Sequence, residues 1–469
     1  MAEPANRPHH LERVLSSVTD GFESHLDRLQ RSIRQPSISA TGQGIDSMVE
    51  LLGEEIEALG GSAEVFEGVD FPVVVGRFDV GAKRTVLIHG TYDTTPAEPD
   101  EWVSPPFAAA LIDLPGVGES IVGRGAEDAK GAFAATLSMI DAYRSGGVDL
   151  PVNVVVVQEA SELGSKSLPE VITRHRAAFA DVDVAYWPWP TQRPNGRAVA
   201  WLGVKGLMTL KLRVRGGEWG GPVGAEAHGL HSIWVANPVH RLAAALASMK
   251  SNDDRHIVIE GFFDPVRPIT SLEVDLVEDL ASRVEPASLL GEAHAHRFKH
   301  ESVEEALRAY CFSTEINVSG ISGGTVIEGG HKVELPSSAV ASVDIRLLDG
   351  MTVEHITSVM RRHLDENGFP EVAIEVLNGY AGGSMPPDDP AVQALLETYR
   401  ATGHHPEVWP RTSTAIASHL FIDELGVPWI ATCLGVAGNK HAPNEFLTVD
   451  GYRDAIGFIA RLMWELAAS

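Results

Sequence analysis

The sequence is poor in cysteine, in positive charge and in long apolar runs, and each shortage argues against a class of protein. Its only two cysteines, Cys311 and Cys433, are far apart and form no CxxC pair, which predicts free thiols in a reducing cytoplasm. A net charge of −27 argues against nucleic acid or an anionic membrane as a partner. No apolar run reaches the ~18 residues of a membrane-spanning helix, and the start, MAEPANRPHHLERV, predicts no secretory signal.

What the chain does have is the composition of a soluble globular protein, with 44% hydrophobic and 22% charged residues in 469. Continuous apolar runs at 85–88 and 152–157 predict buried strands, and the segment 132–143 between them has helical spacing. Strand, helix and strand in this order predict an α/β fold. Ligands are expected at the carboxyl ends of such strands.

The pattern changes near Gly206. From there, apolar and polar residues alternate, as in the half-exposed strands of an antiparallel sheet, and the α/β pattern resumes near residue 380. The sequence therefore predicts a catalytic domain made of 1–205 and 381–469, with a mostly parallel central sheet. An α+β domain made of 206–380 is expected to be inserted into it.

Four separate clusters of polar residues follow predicted strands or lie in loops, at 89–97, 123–131, 159–165 and 435–445. Taken singly, each has a plain structural interpretation: an Asp after a glycine-rich turn caps a helix, and a loop His is solvated. Taken together, carboxylates and histidines at strand ends suit a cation such as zinc or manganese, which accepts mixed nitrogen and oxygen ligands.

The order of these clusters resembles that of the M20 peptidases, which include carnosinase-like dipeptidases, aminoacylases and succinyl-diaminopimelate desuccinylase. The resemblance spans nearly the whole chain and depends on short motifs, which are Arg34-Gln-Pro-Ser-Ile-Ser39, Trp102-Val-Ser-Pro-Pro-Phe107, Gly123-Arg-Gly-Ala-Glu-Asp-Ala-Lys-Gly131, Glu162-Leu-Gly-Ser165 and His441-Ala-Pro-Asn-Glu445. It implies a zinc-peptidase-like α/β domain, and an inserted domain that acts as a lid and as a dimerisation domain.

The resemblance also implies a centre of two metal ions bridged by an Asp and a water. The bridging Asp falls on Asp128, and the other ligands of the second metal fall on Glu162 and His441. The Asp that orients a ligand of the first metal falls on Asp93.

Three functional positions of the family carry other residues in this chain. The His ligand of the first metal falls on Thr91, the Asp ligand falls near Trp189, and the general base falls on Ser161. Both ligands private to the first metal are therefore replaced, whereas those of the second metal remain. We expect one divalent metal, zinc or manganese, or none.

Two nearby residues offer substitutes. His89 precedes Thr91 by two residues and points to the same side of an extended strand, so it is a candidate for a shifted metal ligand. Glu159 stands in the same relation to Ser161 and is a candidate for a shifted base. The alternative is that both residues are structural.

The inserted domain and a later loop supply further candidates by resemblance. In the family, a His of the inserted domain reaches the partner's active site, and this role falls on His231. Asn317 lies on a strand that contributes to the substrate pocket. The family's carboxylate-binding RxGGS loop falls on Arg411-Thr-Ser-Thr-Ala415, which keeps the charge of the arginine and loses both glycines. A homodimer and a small substrate that bears a carboxylate are therefore expected.

Three classes of function remain open. The first is a one-metal enzyme that hydrolyses the amide bond of an acyl-amino acid or a dipeptide-like compound. The second is an enzyme on the same scaffold that forms or rearranges a C–N bond, cyclises, eliminates or isomerises. The third is a catalytically silent binding protein, against which the retained Lys130, His231 and Arg411 argue.

Overall fold

The computed structural model describes residues 7–160, 162, 165–328, 330 and 332–469, apart from the side chains of Arg7 and Glu292. The chain divides into two compact units. The first unit contains the chain up to Leu202, Met385–Trp409 and Leu420–Ser469. The second unit contains Gly203–Ser384 and Pro410–His419. The sequence placed the domain boundaries at 206 and 380, and it gave the segment 410–419 to the catalytic domain.

The helices alternate with strands in the first unit and cluster between strands in the second. In chain order they are α1 (Arg7–Asp20), α2 (Phe22–Arg34), α3 (Ile45–Ala58), α4 (Lys130–Ser145), α5 (Ser167–Arg174), α6 (Pro238–Ser248), α7 (Ser271–Arg283), α8 (Pro286–Glu292), α9 (Val303–Phe312), α10 (Val353–Glu366), α11 (Pro390–Ala401) and α12 (Val449–Ala468). Among the described residues, none of these helices has both the length and the apolar content that a bilayer crossing requires.

The strands form one large sheet in the first unit and a smaller one in the second, with a few short additional pairings. In chain order they are β1 (Ser62–Phe66), β2 (Val73–Phe78), β3 (Thr85–Thr91), β4 (Ala110–Leu114), β5 (Gly118–Val122), β6 (Asn153–Glu159), β7 (Val184–Gln192), β8 (Val199–Trp201), β9 (Gly203–Arg215), β10 (Ala227–His228), β11 (Ile316–Ser322), β12 (Glu334–Leu335), β13 (Ser338–Leu347), β14 (Ala373–Tyr380), β15 (Gly383–Ser384), β16 (Glu407–Trp409), β17 (Thr412–Ala415), β18 (Trp429–Gly438) and β19 (Phe446–Thr448).

The sheet of the first unit has nine strands in the order β1-β2-β6-β3-β7-β18-β19-β5-β4. Its middle strands β6, β3, β7 and β18 are parallel, and the pairings on both sides of them are antiparallel. The predicted α/β class is confirmed, but the sheet is mixed rather than mostly parallel. The parallel strands are the ones with continuous apolar runs, because helices such as α4 and α12 pack on them and bury both faces.

The helix boundaries follow local signals. Apolar residues recur at helical spacing from Leu11 to Ile33, but the structure divides this run into α1 and α2 at Gly21, since glycine weakens a helix interior. Helix α2 ends at Arg34, directly before Gln35-Pro36, because a residue that precedes proline avoids helical backbone angles. Helix α12 begins at Val449 with Thr448 as its cap, whose hydroxyl accepts from the Gly451 amide at 3.0 Å.

The sheet of the second unit has the order β11-β13-β9-β14, and β15 and β17 also pair with β9. Alternate residues of β9 and β13 are buried, as the alternating sequence predicts. They pack on Leu242 and Met249 from the α6 region and on Ile356 and Met360 from α10. The sequence analysis did not predict helices α7, α8 and α9, which lie between α6 and β11.

Candidate metal centre

The polar clusters meet at the carboxyl ends of the parallel strands of the first unit. Strands β3 and β6 end together, with Thr91 paired to Glu159. Strands β3 and β7 are paired in parallel up to Ile88 and Tyr186. The segments after these strand ends carry Asp93, Glu162 and His441, so the topology gathers the four clusters at one edge.

Asp128, Glu162 and His441 converge at this edge. His441 Nε2 lies 2.8 Å from Asp128 Oδ2 and 3.4 Å from Glu162 Oε2, and one ligand atom from each residue lies within 4.8 Å of the others. Both carboxylates are largely buried, with side chains 8% and 11% exposed. We call these three residues the retained side of the centre.

The donor atoms of the retained side fit a divalent cation. Two carboxylate oxygens and one imidazole nitrogen are the mixed ligands that zinc and manganese accept. Two buried carboxylates so close together require compensating positive charge. In the protein alone, hydrogen bonds to Asp128 and Glu162 raise the pKa of His441 to about 9, so a proton on His441 supplies part of the charge that a cation would bring.

The loop that carries Asp128 is fixed by Glu445, which is fully buried. Glu445 Oε1 accepts from the backbone amides of Gly125, Glu127 and Asp128 at 2.9–3.1 Å. Its Oε2 accepts from Arg124 Nη1 at 2.7 Å. Burial raises the pKa of Glu445, and the Arg124 guanidinium opposes this shift. Four donors thus hold one carboxylate, and through it the position of Asp128.

The loop that carries His441 has an unusual backbone. Asn439, His441 and Asn444 all have φ near +60°, a left-handed conformation that costs a residue other than glycine about 1–2 kcal/mol. Hydrogen bonds offset this cost: Arg124 Nη2 donates to the His441 carbonyl at 3.2 Å. Asn439 Nδ2 also donates to the Asn444 carbonyl at 3.1 Å. Such strain, where it is held by surrounding structure, is common at functional sites.

Asp93 lies beneath the retained side and is fully buried. Its Oδ2 accepts from the backbone amide of Glu162 at 3.1 Å, so in this chain it positions the segment that carries Glu162. Ser161, the residue at the position of the family's general base, lies outside the described residues.

His89 and Glu159, the two candidate substitutes, form a buried pair with each other. His89 Nε2 lies 2.9 Å from Glu159 Oε1, and Ser165 Oγ donates to both oxygens of the same carboxylate at 2.7–2.9 Å. The His89 ring also packs on Phe421. These contacts favour the structural interpretation of both residues, although His89 Nδ1 is buried without a hydrogen-bond partner among the described residues.

A second set of residues was only partly found by sequence reasoning. Thr91 and Trp189 are buried, and the Lys440 ammonium lies 3.1 Å from Asp128 Oδ2 and 4.1 Å from the centre of the Trp189 ring. We call Thr91, Trp189 and Lys440 the altered side. Lys440 was missed, although a lysine directly before His441 is visible in the sequence.

The charges of Lys440 and His441 act together on Asp128. Burial alone would raise the pKa of Asp128, but the Lys440 ammonium and the hydrogen bond from His441 outweigh it and lower the pKa below its ordinary value. The neighbouring Glu127 behaves differently, because burial and the Glu445 carboxylate raise its pKa to about 8.

The remaining candidates belong to the second unit. His231 lies in the short 3₁₀ helix Gly229–Ile233, with its ring against Trp234. Asn317 is exposed on β11 and donates to Asp344 Oδ1 at 2.8 Å. Arg411 is buried.

The Arg411 guanidinium already has partners within the second unit. It pairs with Asp349 and donates to the Ser384 hydroxyl at 2.9 Å and to the Cys311 carbonyl at 3.2 Å. The sequence analysis expects this arginine to bind a substrate carboxylate. In the structure, Asp349 already pairs with the guanidinium to which such a carboxylate would bind.

Comparisons with known proteins find a matching family model, similar sequences and a similar structure. The model of Peptidase family M20/M25/M40 matches residues 87–465. The Cys-Gly metallodipeptidase DUG1 of Candida albicans is 26% identical, over 94% of this chain and 94% of its own length. The Beta-Ala-His dipeptidase of Homo sapiens is 24% identical, over 82% of this chain and 75% of its own length. The crystal structure of the M20 family metallo-carboxypeptidase Sso-CP2 from Sulfolobus solfataricus has a TM-score of 0.86 at 28% identity, covering 95% of this chain and 99% of that chain.

Proposed function

Since the chain belongs to peptidase family M20/M25/M40, we propose that this enzyme hydrolyses the amide bond of a small, dipeptide-like substrate that bears a carboxylate, at a centre with one divalent cation. The observation that carries the proposal is the convergence of Asp128, Glu162 and His441 within 4.8 Å, beside positions where Thr91 and Trp189 offer no ligand of the kind that zinc or manganese prefers. The two metallodipeptidases similar to this chain support the substrate class.

In this proposal, the residues of the retained side bind the cation and two neighbouring carboxylates hold them in position. Asp128, Glu162 and His441 would hold the zinc or manganese ion, which when bound supplies Lewis-acid polarisation of the scissile carbonyl. Asp93 positions the Glu162 backbone through its hydrogen bond. Glu445 keeps Asp128 in place through the loop amides. The centre therefore gains its rigidity from groups that do not themselves bind the cation.

Recognition of the substrate carboxylate is assigned to Arg411, with Asp349 as its partner in the absence of substrate. A bidentate guanidinium–carboxylate pair is strong enough to compete with an existing ion pair of the same kind. Asn317 and His231 complete the proposed substrate contacts, and His231 would act on the partner's active site. Replacement of Arg411 by Lys should raise KM more than it lowers kcat, because the fork geometry is lost.

We assign the dimer contact to the second unit. Ile233 and Trp234 beside His231 are 85% and 69% exposed, and exposed apolar groups of this size are typical of protein interfaces. A cytoplasmic location is proposed from the two buried free cysteines. Sedimentation of the purified protein tests the dimer, and Trp234→Glu should shift it to a monomer.

The activity is tested with metal-stripped protein that is titrated with zinc or manganese beyond one equivalent. Cys-Gly, β-Ala-His and N-acyl amino acids are supplied, and release of free amine is measured. Hydrolysis that saturates at one equivalent and is lost in Asp128→Asn is the expected result. No release on any substrate, from a folded and metal-loaded protein, would contradict the proposal.

A second candidate is a non-hydrolytic reaction at a C–N bond. It is favoured by the serine at position 161, because loss of a positioned general base lowers a hydrolytic rate by about 10²–10⁴-fold. The double replacement Thr91→His with Ser161→Glu separates the two candidates. If it creates dipeptide hydrolysis where the unaltered enzyme has none, the second candidate is supported and the first is excluded.

A further inference from the structure

Among the described residues, the Lys440 ammonium contacts the Asp128 carboxylate and the Trp189 ring. It lies 3.1 Å from Asp128 Oδ2, and it sits 4.1 Å above the Trp189 ring. The face of a tryptophan attracts a cation through its quadrupole. The Trp189 ring is 4% exposed and the Lys440 side chain is 36% exposed, so the tryptophan face of the contact is buried while the lysine also reaches solvent.

Lys440 and His441 approach the same carboxylate oxygen. Asp128 Oδ2 is 2.8 Å from His441 Nε2 and 3.1 Å from Lys440 Nζ. Glu162 lies with His441 on the retained side, whereas Trp189 lies with Lys440. Asp128 Oδ2 therefore contacts both a ligand set for a cation and the positive charge of Lys440.

We propose that the Lys440 ammonium takes the place of a second metal ion and thereby restricts the centre to one divalent cation. This inference rests on the proposed one-metal function. An ammonium has no lone pair for a metal, and neither Thr91 nor Trp189 replaces the missing ligands. A second dication near the ammonium would be repelled, since like charges about 4 Å apart repel strongly in a partly buried site.

In this proposal, the positive charge beside Asp128 belongs to the side chain of Lys440 and not to a dissociable ion. A dissociable ion is lost at low metal concentration, whereas a lysine is always present. Asp128 keeps its charge compensation whether or not the neighbouring cation is bound, and Trp189 keeps the ammonium over its ring in place. The change at three positions is therefore one coordinated substitution: two ligands and one ion are replaced by a threonine, a tryptophan and a lysine.

The test measures bound metal per chain by equilibrium dialysis against zinc and manganese, followed by elemental analysis. Four proteins are compared: the unaltered chain, T91H/W189D, T91H/W189D/K440M and T91H/W189D/K440R. Methionine keeps the length of the lysine stem without its charge, and arginine keeps the charge. We expect one equivalent in the first two proteins and in the K440R variant, and two equivalents in the K440M variant.

The second ion should bind at least about 100-fold more weakly whenever position 440 is charged. Equal binding of a second ion by T91H/W189D and T91H/W189D/K440M would overturn the proposal, and so would the absence of a second ion from the K440M variant. K332M, which removes a lysine paired with Glu226 and Glu334 in the second unit, serves as the control for loss of a paired lysine.

A measurement on single variants keeps the proposal testable if the combined variants do not fold. Lys440→Met alone should change the tryptophan emission of the protein, because the cation leaves the Trp189 ring. The same change in a Trp189→Phe background should have no such effect. Persistence of the emission change in that background would contradict the assigned contact. Absence of hydrolytic activity affects none of these readouts, so failure of the proposed function is distinguishable.

Discussion

The two sides of Asp128 show two ways to hold a charged centre. On the retained side, Asp128, Glu162 and His441 are placed by backbone amides, by the Glu445 carboxylate and by a strained loop. On the altered side, Trp189 and Lys440 hold each other and Asp128 through side chains alone. The metal ligands are held in position by backbone hydrogen bonds, whereas the ammonium of Lys440 is held by a carboxylate and an aromatic face.

This difference predicts how costly a replacement is on each side. A ligand of the retained side is tied to Glu445, Arg124 and the left-handed loop, so its replacement leaves buried groups without partners. Thr91, Trp189 and Lys440 form a smaller set, and a replacement there mainly has to remain compatible with the other members of the set.

The largest expected effect is on the retained side itself. Asp128→Asn removes the carboxylate shared by both sides, so metal binding should be lost and kcat/KM should fall by at least about 1000-fold, or about 4 kcal/mol. Metal analysis and amine release measure the two losses. Asp27→Asn, at an exposed ion pair, is the control and should leave both unchanged. A variant that keeps its metal would place the cation elsewhere.

The next effect concerns the support of the retained side. Glu445→Gln leaves the buried Arg124 without its carboxylate and weakens three amide contacts, so the free energy of unfolding should fall by about 3–5 kcal/mol. Urea denaturation measures the change. Glu397→Gln breaks an exposed pair with Arg400 and should cost less than about 1 kcal/mol. Similar losses in the two variants would show that the Glu445 network contributes no more to the free energy of unfolding than an exposed ion pair does.

A smaller effect is expected from restoring the base. Ser161→Glu should raise kcat by about 100-fold, or roughly 2.7 kcal/mol, because a positioned carboxylate would then deprotonate the attacking water. KM should change little. Initial rates at saturating substrate measure the gain, and Ser161→Gln, which has the same shape without the charge, is the control. An equal gain in the Gln variant would assign the effect to shape rather than to proton transfer.

Much of the fold was predictable because its elements are long and strongly patterned. The strands β3 and β6 and the helix α4 lie within a few residues of their predicted bounds. The outer strands of the nine-stranded sheet were missed, since short partly exposed strands such as β1 and β4 lack a continuous apolar run.

The candidate site was predictable where a motif fixes a ligand and unpredictable where contact depends on distant segments. The convergence of Asp128, Glu162 and His441 agrees with the motif order. The pairing of His89 with Glu159 depends on the register of β3 and β6. The contact of Lys440 with Trp189 joins a loop and a strand more than 200 residues apart in sequence. Residue patterns carry no information on such pairings.

The smallest expected effect decides whether the altered side contains a shifted ligand. His89→Asn should lower the free energy of unfolding by about 1–3 kcal/mol, because Glu159 would keep its charge but lose a buried partner. Bound metal should stay at one equivalent, since His89 Nε2 already contacts Glu159. The exposed His240, replaced in the same way, is the control for both readouts. If instead the metal content falls while stability is unchanged, then His89 is a ligand through its unpaired Nδ1. Both sides would then contain metal ligands, and they would differ only in where those ligands lie.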